Sequence, residues 1–313
     1  MTLPAKLAFV FPGQGSQTVG MGQDLRGSFP QAKAVFDTAN EILGFDLARL
    51  MSEGPEDELT RTVNAQPALL VASVAALRVI ESNGIRPAVT AGHSVGEYAA
   101  LVAAGAIELA EAVRLVRRRG ELMDRAGKAN PGAMAAVIGL SGDEVKVAVE
   151  EAQTAGIVDV ANYNSPGQVV ISGEPDAVAE AGRLASERGA KRVIPLKVSG
   201  AFHSRLMTEA AEAMKAELKS AKISDPTIPV VANVTANYVH TAAEIRDALA
   251  RQIMGSVRWE ESVLRIAADG IEGFIEVGSG TVLAGLIGRT VKDIFVTSVG
   301  DRAGVESLIK LSC

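Results

Sequence analysis

The sequence predicts an α/β fold with a largely parallel sheet, interrupted by a small inserted unit of different topology. Three observations carry this. Strand-like and helix-like runs alternate along most of the chain, the signature of parallel strands joined by helical crossovers. A glycine-rich turn at 92–96 stands between a strand candidate and a helix candidate. The middle of the chain instead reads β-α-β-β-α-β, the ferredoxin-like order.

At 313 residues, 48% hydrophobic and 22% charged, the chain is long enough for one large domain and a smaller one. Residues 6–11 form a compact apolar strand that runs into a glycine-rich loop. Residues 67–81 read as a buried helix opening on Pro67, at the first-turn position that proline favours. A strand at 87–92 precedes the turn, and a helix at 95–104 follows it. Residues 108–126 read as one amphipathic helix. After the break at Asn130-Pro131-Gly132 come strand 134–139, helix 142–155, strands 158–162 and 168–172, helix 174–189 and strand 192–197. The insertion is therefore placed at 131–198, with 1–130 and 199–313 forming the large domain. Further strands are expected at 229–233, 273–277 and 294–298.

Composition narrows the function. A net charge of −6 and a pI near 5.3 provide no field that favours nucleic acid. The one cysteine, Cys313, is the last residue, which excludes a disulfide framework, a Cys-ligated zinc and a cysteine nucleophile, and suits a reducing compartment. The first residues have no long apolar stretch followed by a small-residue cleavage site. The apolar stretch at 67–80 is short for a bilayer and contains Arg78. A cytoplasmic protein is expected, and with no heptad or exposed apolar stripe, a monomer.

The candidate chemistry starts at "AGHSVGEYAA" (91–100). Gly92-His93-Ser94-Val95-Gly96 fits G-x-S-x-G, which lifts a serine onto a sharp strand-to-helix turn; a plain glycine turn fits as well. A serine hydroxyl needs a base to become nucleophilic, and the chain has three histidines. His93 adjoins Ser94, so its side chain points elsewhere and lines the site or packs locally. His240 precedes Thr241-Ala242-Ala243-Glu244, a capping box, and belongs to the surface beside that cap. His203, in "SGAFHSRLM", lies where the insertion returns to the large domain, a junction from which a loop presents groups to a cleft. Elimination makes His203 the base. No Asp or Glu stands in a motif that would orient it. A backbone carbonyl can hold the tautomer instead, so the expectation is a Ser–His dyad.

Arg119 falls inside the apolar stripe Ala112, Leu115, Val116, Leu122, Met123, Ala126, whereas Arg114, Arg118, Glu121 and Arg125 follow the solvated face. A buried guanidinium needs an anion: either an internal carboxylate or a substrate's. If the 95–104 and 108–126 helices run antiparallel, equal rise per residue brings Arg119 level with Ser94, which favours a substrate bearing its own carboxylate. In "FPGQGSQ" (11–17), at the ligand-binding carboxyl end of a strand, Gln14 would donate an amide N–H and form an oxyanion hole with the N–H of Val95. A glycine turn with an exposed glutamine explains the same letters. Gly13-x-Gly15 lacks the third glycine of a dinucleotide fingerprint.

Taken together, FPGQGSQ (11–17), GHSVGEY (92–98), Arg119-Gly120, AFHS (201–204) and IEVGSG (275–280) resemble, in order, the landmarks of the malonyl-CoA:acyl carrier protein transacylases of fatty acid synthesis, relatives of polyketide synthase acyltransferase domains. The resemblance spans essentially the whole chain. It implies an α/β-hydrolase-like large domain with a ferredoxin-like insertion, and a ping-pong transfer of malonyl from malonyl-CoA to the phosphopantetheine thiol of acyl carrier protein. It further implies that Ser94 carries the acyl group, His203 is the base, Arg119 holds the malonyl carboxylate, and Gln14 with Val95 forms the oxyanion hole. Family members orient the histidine through a carbonyl near an Asn-Pro that falls at Gly255-Ser256 here, so only the Gly255 carbonyl carries over. Phe202 resembles the malonyl-type form of its motif, and its bulk would disfavour an α-methyl branch. No metal or other cofactor is implied.

The carrier proteins are typically acidic, so docking would use local basic residues: Lys128, Lys191, Arg192, Lys197 and Arg205 stand near the junction, though solvated surface charge is the better reading of each taken singly. Two rival readings remain at the level of sequence, a serine esterase or thioesterase on a related fold and a catalytically silent carrier-binding subunit.

Overall fold

The structure is a computed structural model that describes residues 2–312; Cys313, on which the cysteine argument rests, lies outside the described residues. Its strands, in chain order, are β1 (Leu7–Phe11), β2 (Val89–Gly92), β3 (Ala133–Ile138), β4 (Val158–Ser165), β5 (Gln168–Gly173), β6 (Arg192–Pro195), β7 (Val230–Ala232), β8 (Asn237–Val239), β9 (Val257–Arg258), β10 (Gly273–Val277) and β11 (Phe295–Val299). They form two sheets, a six-stranded one ordered β11-β10-β1-β2-β7-β8 and a five-stranded one ordered β6-β3-β5-β4-β9.

The larger sheet is parallel except for β8, which pairs antiparallel with β7. β1, β2, β7 and β10 are buried along their whole length, as strands covered by helices on both faces must be. Such strands read as continuous apolar runs, which is why β1 and β10 were legible. In the smaller sheet β3 lies between β5 and β6 and β4 beside β5, all antiparallel, as expected for βαββαβ. Helices Gly142–Ala152 and Pro175–Glu187 cover it with Val145, Val149 and Val178. The fifth strand was not anticipated: β9 comes from the later part of the chain and pairs parallel with β4, Asn162 opposite Val257.

Two sequence expectations need correction. The 67–81 helix starts earlier, at Thr62, and runs to Ser82, so Pro67 lies inside it. Its start was missed because the N-cap residue is Arg61, which makes no side-chain cap. At 21 residues this helix is also long and apolar enough to cross a membrane by length and composition, but 94% of its apolar window is buried in the protein. It is the central core helix.

A proline within a helix cannot donate to the carbonyl four residues back. That carbonyl, Val63 O, instead accepts from Arg117 Nη1 at 3.0 Å, and the same nitrogen donates to Asn64 Oδ1 at 3.1 Å. Arg117 stands on helix Leu109–Ala129, beside Gly120, whose missing side chain lets the two helices approach: a Cβ there would lie 3.0 Å from Thr62 O. Arg117→Ala is therefore expected to lower the unfolding free energy by about 1 kcal/mol, the low end for a charged hydrogen bond because the side chain is part-exposed. Urea titration of both proteins measures it; an unchanged midpoint would show that solvent satisfies Val63 equally well.

Candidate active site

β1, β2 and β7 are neighbours in the larger sheet, and the residues of interest sit at or just past their carboxyl ends, the ligand edge of open α/β sheets. β2 ends at Gly92 and the next helix begins at Gly96, so the chain reverses within three residues. Only glycine fits at both ends of that turn. A Cβ on Gly92 would lie 2.0 Å from the backbone of Gly96, and one on Gly96 would lie 2.1 Å from Phe11 O. Ser94, at the apex, has φ 52°, the left-handed region that a side chain resists. Asn233, just past β7, secures this backbone from beneath: its Oδ1 accepts from Ser94 N–H at 2.7 Å and its Nδ2 donates to Gly92 O at 2.6 Å.

Ser94 Oγ lies 2.8 Å from His203 Nε2. On the other side of the ring, His203 Nδ1 donates to Gln252 O at 2.8 Å and to Gly255 O at 3.1 Å. Gln252 is the last residue of helix Ala242–Gln252, where carbonyls have no partner within the helix. Those carbonyls fix the proton on Nδ1 and leave Nε2 free to accept from the serine. The Gly255 carbonyl is thus present, but the nearer acceptor is Gln252. No carboxylate touches the ring among the described residues. Burial, followed by the nearby Arg119 charge, brings the imidazole down from 6.5 to about 3. His203 is therefore neutral and able to take a proton, and it too holds a left-handed backbone, φ 58°.

Arg119 is 1% exposed and pairs with no Asp or Glu among the described residues. Its Nη1 donates to Gln66 Oε1 at 2.7 Å, and its Nη2 donates to Gln252 Oε1 at 3.0 Å and to Ser94 Oγ at 3.1 Å. The guanidinium is thus oriented by neutral amides, with no carboxylate in direct contact among the described residues, beside the serine. Gln252 links all three residues: its carbonyl holds His203, its amide oxygen holds Arg119, and its Nε2 donates to Ser94 O at 3.0 Å and Glu97 Oε2 at 2.8 Å.

These groups open into a cleft of about 300 Å³ lined by Gln14, His93, Ser94, Val95, Arg119, Met123, Lys197, Phe202 and His203, among others. The Val95 N–H has no partner among the described residues and stands at the start of helix Gly96–Ala103, where such donors attract negative charge. Gln14 Nε2 donates to Thr62 Oγ1 at 3.3 Å, which ties the first loop to the core helix. His93 bonds Asn164 of β4 at 2.9 Å and meets Trp259 edge-on at 5.7 Å, so it bridges the two sheets. Phe202 is buried in the cleft wall. His240 stands beside the Thr241 capping box, away from the cleft. Of the basic residues, Lys128 pairs with Asp124 and Arg205 with Asp159, whereas Lys191, Arg192 and Lys197 are exposed along or beside edge strand β6. Gln66, Asn233, Gln252 and Glu97 were not singled out from the sequence; single polar letters in long-range contact leave no periodic signal.

Two expectations follow. Gly96→Ala should destabilise the fold by about 3 kcal/mol or more, since no flexible side chain can yield to the new methyl; thermal melting tests this, and an unchanged melting temperature would mean the turn can open. For His203, the unfolded chain gains a proton near pH 6.5 that the folded state refuses until about pH 3. Its contribution to stability is therefore intact above pH 6.5 and lost on acidification, by about 2 kcal/mol between pH 7 and 5. Urea unfolding across that range should show this slope in the wild type relative to His203→Asn, whose side chain tolerates the left-handed backbone; parallel slopes would refute it.

Comparison with known proteins agrees over nearly the whole chain. Residues 8–309 match the acyl transferase domain family. The malonyl CoA-acyl carrier protein transacylase of Bacillus subtilis (strain 168) is 47% identical over 307 residues, 98% of this chain and 97% of its own. The transacylase of the same name from Escherichia coli (strain K12) is 46% identical, covering 98% and 99%. Among solved structures, an acyl carrier protein S-malonyltransferase from Vibrio cholerae superposes with a TM-score of 0.95 at 46% identity, covering 97% of this chain and 100% of its own. A malonyl-transacylase in complex with a type II polyketide synthase acyl-carrier protein gives a TM-score of 0.94 at 43% identity, covering 98% and 99%. With its elbow, histidine and buried arginine in one cleft and these relatives matched end to end, the chain belongs to the acyl transferase family, alongside the malonyl CoA-acyl carrier protein transacylases.

Proposed function

We propose that this protein moves a malonyl group from malonyl-CoA to the phosphopantetheine thiol of acyl carrier protein, by way of a malonyl ester on Ser94. The observation that carries the reading is the buried Arg119 guanidinium, 3.1 Å from Ser94 Oγ and paired with no carboxylate among the described residues. A cation in that position supports an acyl group that ends in an anion. The relatives' names, and the relative complexed with its carrier protein, support the same donor and acceptor.

In the first half-reaction Nε2 of His203 takes the Ser94 proton as Oγ attacks the thioester carbonyl carbon. The tetrahedral oxyanion is held by the Val95 N–H and by Gln14. The carbon–sulfur bond then breaks and the CoA sulfur receives the proton from the imidazolium. The carrier protein's thiol reverses these steps. The C-terminal carbonyls that hold Nδ1–H favour the transient imidazolium, and its proton has a short path of 2.8 Å to and from Oγ. Every bond change is served by Ser94 and His203, so the reading includes no metal or redox group. Phe202 restricts the cleft beside the α-carbon, which gives a preference of about 10- to 200-fold against one extra methyl rather than exclusion.

An esterase would use the same pair with water as acceptor. An Arg119 guanidinium left without a direct carboxylate partner favours the transferase reading, because hydrolysis of a neutral ester has no use for it. The reading also takes 131–198 as an inserted lobe that walls the cleft opposite the elbow, with Lys191, Arg192 and Lys197 as the basic surface for an acidic carrier. Lys128 and Arg205, already paired with acids, contribute less. It places the enzyme in the cytoplasm as a monomer that supplies fatty acid synthesis.

Intact mass after mixing with malonyl-CoA tests the proposal. A malonyl adduct is expected on the wild type and none on Ser94→Ala. Arg119→Ala should load malonyl about 10²-fold less efficiently, the usual cost of removing one partner of a buried charge pair. CoA release without a lasting adduct would indicate a hydrolase, and no CoA release would exclude malonyl-CoA as donor.

A further inference from the structure

The mechanism leaves one buried titratable group unused. Glu97 is 2% exposed, two residues into the helix that follows the elbow. Its Oε2 accepts from Asn233 N–H at 3.0 Å and from Gln252 Nε2 at 2.8 Å. Both partners also grip the elbow, Asn233 at Ser94 N–H and Gln252 at Ser94 O. The other end of the Gln252 amide accepts from Arg119 Nη2. Carboxylate, amide and guanidinium therefore form one chain beneath the nucleophile, in which the two charges never touch.

We propose that Glu97 is the counter-charge of Arg119, kept one amide away by Gln252, and that it competes with a bound substrate carboxylate and so sets how firmly the enzyme holds its malonyl group. The inference rests on the malonyl-transfer reading. A direct Glu–Arg pair would neutralise the clamp, and no carboxylate at all would leave a bare buried cation in the free enzyme. Separation by one amide avoids both. Glu97 is a positioning residue here: it acts through Gln252 and Arg119 and touches no reacting atom.

The charge of Glu97 is adjustable. Burial raises its carboxyl to about 7, against the smaller pull of Arg119. The groups facing it are Arg119, from helix Leu109–Ala129, and the Tyr98 phenol on its own helix, which burial keeps protonated; His203, beyond Arg119, is neutral. Arrival of a malonyl carboxylate adds a like charge near Glu97 and disfavours its ionised form. Malonyl loading should then be favoured at low pH, where Glu97 is protonated, and weakened as it ionises.

The experiment measures the equilibrium fraction of acyl-enzyme by mass at a fixed acyl-CoA to CoA ratio, for malonyl-CoA and acetyl-CoA, from pH 6 to 8.5. The malonyl-to-acetyl ratio cancels effects common to both thioesters. In the wild type this ratio is expected to fall about three- to tenfold as pH rises, the scale of one unit charge acting across about 10 to 20 Å at an effective dielectric near 20. Glu97→Gln keeps an oxygen for both hydrogen bonds and removes only the charge, so its ratio should stay at the wild type's low-pH value throughout. A wild-type ratio that does not change with pH overturns the inference, and this arm needs no variant to fold. So does a Glu97→Gln protein that loses malonyl and acetyl loading equally, which would mark a purely structural role. If the wild type forms no malonyl adduct at any pH, the malonyl reading itself fails and the inference falls with it.

Discussion

A cation buried with no carboxylate of the described residues in contact is the constraint around which the rest of the cleft is arranged. Removing a guanidinium from water costs several kcal/mol unless hydrogen bonds and nearby charge compensate. Here Gln66 and Gln252 supply the hydrogen bonds from two different helices, and Glu97 supplies charge through space. The same charge acts on the histidine, adding to burial in keeping the imidazole unprotonated. On the proposed reading one side chain both receives the substrate's anion and keeps the base unprotonated, so recognition and chemistry would share a single electrostatic environment.

The second constraint is backbone strain. Ser94 and His203 both hold left-handed conformations, each of which costs on the order of 1 kcal/mol or more for a residue with a Cβ. Neither is held by its own neighbours alone. Asn233 and Gln252, both far along the chain, clamp the serine at its N–H and its carbonyl, while the end of helix Ala242–Gln252 captures the histidine through carbonyls it cannot use itself. Residues outside the proposed chemistry thereby maintain the 2.8 Å contact between Ser94 and His203.

What the sequence made legible was whatever leaves a local trace. The elbow is a five-residue pattern whose glycines are demanded by contacts of about 2 Å. Arg119 showed itself as a charge on the wrong helical face, and His203 was found because histidines are scarce. The βαββαβ order emerged from periodicity. The frame beneath the site left no such trace: Gln66, Asn233 and Gln252 are ordinary polar letters whose meaning arises from contacts 53 to 158 residues away in the chain. Strands β8 and β9, of three and two residues, are too short for a period to register. Pro67 misled because proline more often opens a helix than sits within one, and the arginine that satisfies the freed carbonyl stands on a different helix.

The pairing of β9 with β4 has a mechanical consequence. A strand from beyond the insertion is laced into the insertion's own sheet, and His93–Asn164, Arg205–Asp159 and Arg289–Gln168 add stitches between the two halves. A lobe attached only by its two chain ends could swing on them as on a hinge. This one is riveted at several points around the rim, so its jaws have a set gape. Discrimination between guests must then come from the shape and charge of a mould cast in advance, and the long flexible arm of each substrate, rather than the protein, does the moving.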